Sequence, residues 1–258
     1  MQKEYTDQMQ SIILLDHVPK RIISLVPSQT EYLYDLGLEE EVIGITKFCI
    51  HPASWRKTKT IIGGTKNVSI DKVRALKPDL IIGNKEENSK DDIEQLRSIA
   101  PVWMSDIYTL QDALEMMQMI GEITKKEDRA NTIIATIEKQ FSELKDHQPV
   151  KQESVLYLIW DKPVIGVASN TFIDDVLKRA GFSNILVDQE RYPQLNSLKE
   201  LNPTYVFLSS EPYPFQEKHM QQFQQIFPNS KIKLVDGELF SWYGSRLLKS
   251  VSYLNQIV

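Results

Sequence analysis

Short apolar runs alternate with helical stretches along most of the chain. Arg21-Ile-Ile-Ser-Leu-Val26 reads as a buried strand, followed by Pro27-Ser28 and a helix that opens at Gln29-Thr30-Glu31 and stops at Gly37. Ser28 and Glu31 have capping-box spacing, and Gly37 suits a helix C-cap. A short strand, Val42 to Thr46, comes next. The same order returns at Val164-Ile-Gly-Val-Ala-Ser169, with a helix opening at Asn170-Thr171-Phe172, a stop at Gly181 and a short run from Asn184 to Val187.

A second pattern repeats as well. Ile70 to Leu76 predicts a short helix ended by Lys77-Pro78, then the strand Leu80-Ile-Ile82. Leu195 to Leu201, Asn202-Pro203 and Tyr205-Val-Phe-Leu208 follow the same plan. Proline stops a helix and biases its predecessor toward extended backbone. The repeat is too long for a solenoid and predicts two similar α/β lobes. Between them, apolar residues recur at helical spacing from Leu110 to Thr124 and from Glu127 to Leu144, with a break expected at Gly121-Glu-Ile-Thr124. Met116, Met117 and Met119 fit core packing on this tract. The expected layout is an N-terminal lobe over 1–108, a helical linker over 109–148 and a C-terminal lobe over 149–258.

Composition narrows the function classes. The 258 residues carry 41% hydrophobic and 25% charged positions and a formal net charge of -5, as in a globular protein of one large or two ordinary domains. No Lys/Arg cluster marks a nucleic-acid surface. The single cysteine, Cys49, excludes an intrachain disulfide and a four-cysteine zinc site. Ile12 to Leu15 is too short for a signal core, and no run is long enough to span a membrane. The chain as written is therefore expected in the cytoplasm, or outside it if a leader has been removed.

Candidate chemistry gathers after the predicted strands. Eight residues beyond Pro78 and Pro203 stand Glu86 and Glu211, in NKEEN and SSEPYPF. Both follow the C-terminal end of a predicted parallel strand, the edge where open α/β sheets bind ligands. The two carboxylates are expected to face each other across a cleft between the lobes; local pairing with Lys85 and Lys218 is the alternative. Phe48-Cys-Ile-His-Pro52 follows another strand, and Gly63-Gly-Thr-Lys-Asn67 is a glycine-rich turn without phosphate-loop spacing. Trp160, Tyr213, Phe215, Trp242 and Tyr243 suit an aromatic-lined site, with ordinary core packing as the other reading. Arg246 and Lys85 are candidates to pair with anionic groups of a ligand. Of four histidines, His17 and His147 read as surface residues, and His219 as part of the helix after Phe215. His51 with Glu86 and Glu211 makes a candidate metal set. No G-x-S-x-G or H-E-x-x-H is present.

These strings resemble a known family. RIISLVPSQTEYLYDLGL, ALKPDLIIGNKEEN, the linking helix, NTFIDDVLKRAGFSNIL and LNPTYVFLSS are similar to the class III solute-binding proteins of ABC importers, most of all the cobalamin-binding branch. FCIHP, GGTKN, NKEEN, SSEPYPF and SWYGSR resemble its cobalamin-like or metal-receptor homologues. The resemblance implies two Rossmann-like lobes with mostly parallel sheets, joined by a single long backbone helix, with the ligand cleft between them. It implies ligand contacts at Pro27, Ser28, His51, Gly64, Thr65, Trp160 and Tyr213. It also implies permease docking through an acidic residue in each lobe. Asp71 matches the first; Ser241 stands at the second, with Glu238 nearby. His51 stands where the cobalamin-binding branch has an aromatic contact residue.

The leading expectation is a monomeric, non-enzymatic receptor for a corrinoid, haem or ferric-chelate ligand, partnered by an ABC permease and without an intrinsic cofactor. Three alternatives stand beside it: a direct divalent-metal receptor, a cytoplasmic sensor or chaperone, and an enzyme using Glu86 and Glu211 as acid and base.

Overall fold

The computed structural model describes residues 2–146 and 153–257. The chain divides into two α/β units. Unit 1 comprises residues 1–107, 111–136 and 243–246; unit 2 comprises 108–110, 137–242 and 247–258.

Unit 1 opens with an antiparallel hairpin of β1 (Lys3–Thr6) and β2 (Ile12–Leu15). Its main sheet contains β3 (Ile22–Ser24), β4 (Val42–Ile45), β5 (Thr60–Ile61), β8 (Leu80–Asn84) and β9 (Val102–Ser105), in the order β5-β4-β3-β8-β9, all parallel. Strands buried on both faces read as unbroken apolar runs, as Leu80-Ile-Ile does. Between these strands lie α1 (Pro27–Asp35), α2 (Trp55–Thr58), the small hairpin β6 (Gly63–Gly64) and β7 (Asn67–Val68), α3 (Ile70–Leu76) and α4 (Lys90–Arg97). α5 (Leu110–Thr124) follows β9 and buries Ala113, Met116, Met117 and Ile120. The tyrosine hydroxyl of Tyr32 on α1 donates to the Met117 carbonyl at 2.8 Å.

α6 (Glu127–Asp146) begins in unit 1 and ends in unit 2; the division falls between Thr136 and Ile137. The second sheet contains β10 (Glu153–Trp160), β11 (Ile165–Gly166), β12 (Phe182–Asn184), β13 (Tyr205–Ser209) and β14 (Lys231–Val235). Its order is β11-β10-β13-β14, with β12 also on β10. β12, β13 and β14 are parallel additions, whereas β11 runs antiparallel to β10. The helices of unit 2 are α7 (Phe172–Arg179), α8 (Glu217–Ile226), α9 (Glu238–Ser241) and α10 (Leu247–Ile257). Its core packs Leu156, Leu158, Val206 and Leu208 against Phe215, Phe223 and Phe227.

Several local expectations change. α1 starts at Pro27, not Gln29, with proline in the first turn and no side-chain cap at Val26. Ser28 and Glu31 therefore form no capping box. Gly121 lies inside α5, and the break comes at Lys125, whose φ is 58°. A glycine is there because α6 packs close: a Cβ at position 121 would sit 2.5 Å from that of Ala130. Ile165–Gly166 is the return arm of an antiparallel hairpin with β10. Leu195–Leu201 is not helical. Its first backbone group is engaged in extended pairing, Leu195 N–H donating to Val164 O at 2.9 Å. Gly37 and Gly181 do end their helices at positive φ, 76° and 83°. His147 and the expected 148/149 boundary lie outside the described residues.

Candidate functional site

β8 and β13 are both five-residue strands, buried throughout, and each ends two residues before a glutamate, Glu86 or Glu211. In unit 1, two asparagines build the loop around Glu86. The Asn84 carboxamide oxygen accepts the N–H groups of Glu86 and Glu87 at 2.8 and 3.0 Å. This side-chain mimic of a turn holds Glu86 half-buried at the strand end. Asn88 is buried and reaches three segments. Its oxygen accepts the Asn84 N–H at 2.8 Å, and its nitrogen donates to Thr65 O at 3.0 Å and Leu25 O at 3.5 Å. The loops after β3, at the β6–β7 turn and after β8 are thereby fastened together. Lys66 Nζ adds a bond to Glu86 O at 2.9 Å.

The loop after β4 carries Phe48, 51% exposed, and Ile50, also exposed. The Phe48 ring lies against Gly64, where a Cβ would sit 3.3 Å from it. Lys47 Nζ stands 5.0 Å from the centre of that ring. Between the two exposed side chains, Cys49 is buried, and its sulfur meets Thr30 Oγ1 at 3.0 Å and Thr46 Oγ1 at 3.2 Å. Burial pushes the thiol pKa up, so it packs as an inert small side chain. His51 and Pro52 are half-buried after it. Pro27 is half-buried and Ser28 buried in the first turn of α1.

In unit 2, Glu211 Oε1 accepts from Ser241 Oγ at 2.8 Å and from Trp242 Nε1 at 2.9 Å. Burial raises its pKa, and the nearby carboxylates of Glu238 and Asp236 add to this; the two hydrogen bonds oppose it. Glu211 lines an open depression of about 580 Å³ with Ser210, Phe215, Leu234, Val235, Asp236 and Glu238. Beside it runs an aromatic series. Trp160, 38% exposed at the end of β10, meets Tyr213 at 5.5 Å between ring centres. Tyr213 meets Phe215 at 4.8 Å, and Phe215 meets the buried Phe223 at 6.0 Å. The series thus descends from an exposed indole into the core.

Other expected site residues are placed differently. Arg246 is buried, and its guanidinium clasps Glu31, Nε to Oε2 at 2.7 Å and Nη2 to Oε1 at 2.9 Å. It is an internal fork within unit 1, not a group displayed to a ligand. Trp242 and Tyr243 are buried too. Lys85 pairs with Asp106 at 2.6 Å. Among the described residues, no three His, Cys, Asp or Glu side chains gather where they could hold a metal ion. His219 is buried under Tyr213. Asp71 is exposed beside Arg74, and Glu238 is half-buried in the first turn of α9. Among the described residues, no helix is long and apolar enough to cross a membrane.

Comparison with known proteins decides the family. Residues 22–227 match the family model described as periplasmic binding protein. The chain belongs to the periplasmic binding protein family. It is 25% identical over 253 residues to the uncharacterized ABC transporter substrate-binding lipoprotein YvrC of Bacillus subtilis, covering 93% of this chain and 80% of that protein. It is 24% identical over 238 residues to the vitamin B12-binding protein of Pectobacterium carotovorum, covering 90% and 85%. In fold it resembles the periplasmic heme binding protein HutB of Vibrio cholerae, with a TM-score of 0.77, 23% identity and coverage of 92% and 98%. Members of this family are binding proteins.

The residues missed from sequence are Asn84, Asn88, Phe48 and Ile50. An asparagine at each end of NKEEN was the available signal, since this residue type closes turns through its own side chain.

Proposed function

We propose that the chain is the receptor of an ABC-type uptake system. It captures a corrinoid, haem or ferric-chelate ligand and performs no chemistry on it. One observation carries the reading: large apolar side chains stay exposed at the C-terminal strand ends of both units. Phe48 and Ile50 follow β4; Trp160 ends β10, and Leu234 lies near the end of β14. Exposed apolar groups at that edge suit a ligand with a broad apolar face.

Pro27, Ser28, His51, Gly64, Thr65 and Glu86 supply the contacts from unit 1. Trp160, Glu211, Tyr213 and Phe215 supply those from unit 2. That Glu211 already holds Ser241 and Trp242 supports a binding role over acid–base work. Asp71 and Glu238 are the groups offered to a permease, which sets the working place outside the cytoplasm. The lobe limits read from the sequence, 1–108 and 149–258, belong to the same proposal.

The test is a titration of the purified protein with cyanocobalamin, haemin and a ferric tris-hydroxamate, followed by tryptophan fluorescence and thermal melting. One of them is expected to quench the emission and raise the melting temperature, by an amount worth about 2.7 kcal/mol at a hundredfold excess over Kd. Trp160→Phe should remove most of the quench. Silence toward all three ligands sinks the reading.

A further inference from the structure

The aromatic series of unit 2 holds a hydrogen-bond donor whose direction the backbone sets. His219 lies in the first turn of α8, and its Nδ1 accepts the N–H of Gln216 at 2.9 Å. A backbone amide can only donate, so Nδ1 carries no proton. The proton of the neutral imidazole is then on Nε2. That atom lies 3.1 Å from the Tyr213 hydroxyl oxygen, so Nε2–H donates and the phenol oxygen accepts. The phenol's own hydrogen is left over. Among the described residues, the hydroxyl of Tyr213 has no polar partner besides His219.

The ring itself is held on three sides. Trp160 stands at 5.5 Å, Phe215 at 4.8 Å and the imidazole at 5.4 Å from its centre. Phe215 in turn packs edge-on to His219 at 5.4 Å. Tyr213 is half-buried, beside the exposed Trp160.

We infer that Tyr213 is the hydrogen-bond donor of the unit 2 binding face and that His219 is the positioning residue that turns its proton outward. The ligand presents an oxygen acceptor, a carboxylate or an amide carbonyl, at the edge of a body that lies on Trp160. This inference rests on the receptor reading above and assigns a ligand chemistry to its second unit.

Substitutions separate the donor from the packing. Tyr213→Phe keeps the ring and removes the hydroxyl. His219→Asn keeps an acceptor at the place of Nδ1, and so the helix cap, while removing the donor to Tyr213. Each is expected to weaken binding of the responding probe, cyanocobalamin for amide or haemin for carboxylate, about fivefold to tenfold, as for one lost hydrogen bond. The double variant should be no weaker than Tyr213→Phe alone. Melting temperatures should stay near that of the parent protein. Nitrogen NMR of the His219 ring should show Nδ1 bare and Nε2 protonated.

Binding of a probe by the parent and by Tyr213→Phe with equal affinity overturns the inference and leaves the receptor reading standing. A proton on Nδ1 overturns it without any ligand. A fall in melting temperature for His219→Asn, additive with Tyr213→Phe, reduces His219 to a structural residue and overturns the positioning role. Failure of every probe to bind the parent sinks the receptor reading and this inference with it.

Discussion

Asn88 shows how much a single buried amide can organise. It joins backbone from Leu25, Thr65 and Asn84, segments far apart in sequence. Asn88→Ala would leave buried carbonyl and amide groups unsatisfied. It should cost about 2 kcal/mol in urea unfolding, with weaker ligand binding because three loops lose their common tie. Glu211 makes a pH-dependent case. Its folded pKa is raised, chiefly by burial, so the folded state holds the proton more tightly than the unfolded chain. Its contribution to stability is then most favourable below the ordinary carboxylate pKa and is lost as pH rises through the window up to the folded value. Glu211→Gln keeps an oxygen for Ser241 and Trp242 and removes the charge. It should melt higher than the parent at neutral pH, and the gap should close as pH falls below that window, as thermal melts across a pH series will show.

At the level of elements, local signals and packing part company at instructive places. Proline stops and apolar runs placed β8 and β13 correctly, because a buried parallel strand is written in consecutive residues. Gly121 misled, since a glycine inside a helical pattern reads as a break when its cause is a neighbouring helix. The magnitudes decide its substitution. Gly121→Ala gains about 1 kcal/mol of helix propensity. It meets the Ala130 methyl at 2.5 Å, an overpacking worth about 1–3 kcal/mol. A net loss of about 1 kcal/mol is expected in chemical denaturation, and Ala130→Gly in the same chain should recover part of it.

At the level of the whole molecule, the buried ion pair of Glu31 and Arg246 binds the 243–246 segment into unit 1, although both flanks of that segment belong to unit 2. Taking one partner away strips the other buried charge of this two-point contact. Arg246→Ala should destabilise by about 3–5 kcal/mol in urea unfolding. Glu31→Gln with Arg246→Met removes both charges and should cost less than the single change. The pair has no sequence signature: its members lie 215 positions apart, and each looked like something else, a capping residue and a ligand-binding arginine.

The sequence by itself determined what depends on neighbours along the chain. It set the strands β3, β4, β8 and β13, the helices α3, α5 and α6, the helix stops at Gly37 and Gly181, and the matching positions of Glu86 and Glu211. Periodicity, proline and glycine act within a few residues, so these are legible without a fold. Tertiary structure alone decided which polar groups find each other. It gave Arg246 to Glu31, joined Asn88 to three loops, buried Trp242 and Tyr243, and set His219 beneath Tyr213. A hydrogen bond or ion pair depends on atoms meeting within about 3 Å, and spacing along a chain carries no such distance once the chain has turned back on itself.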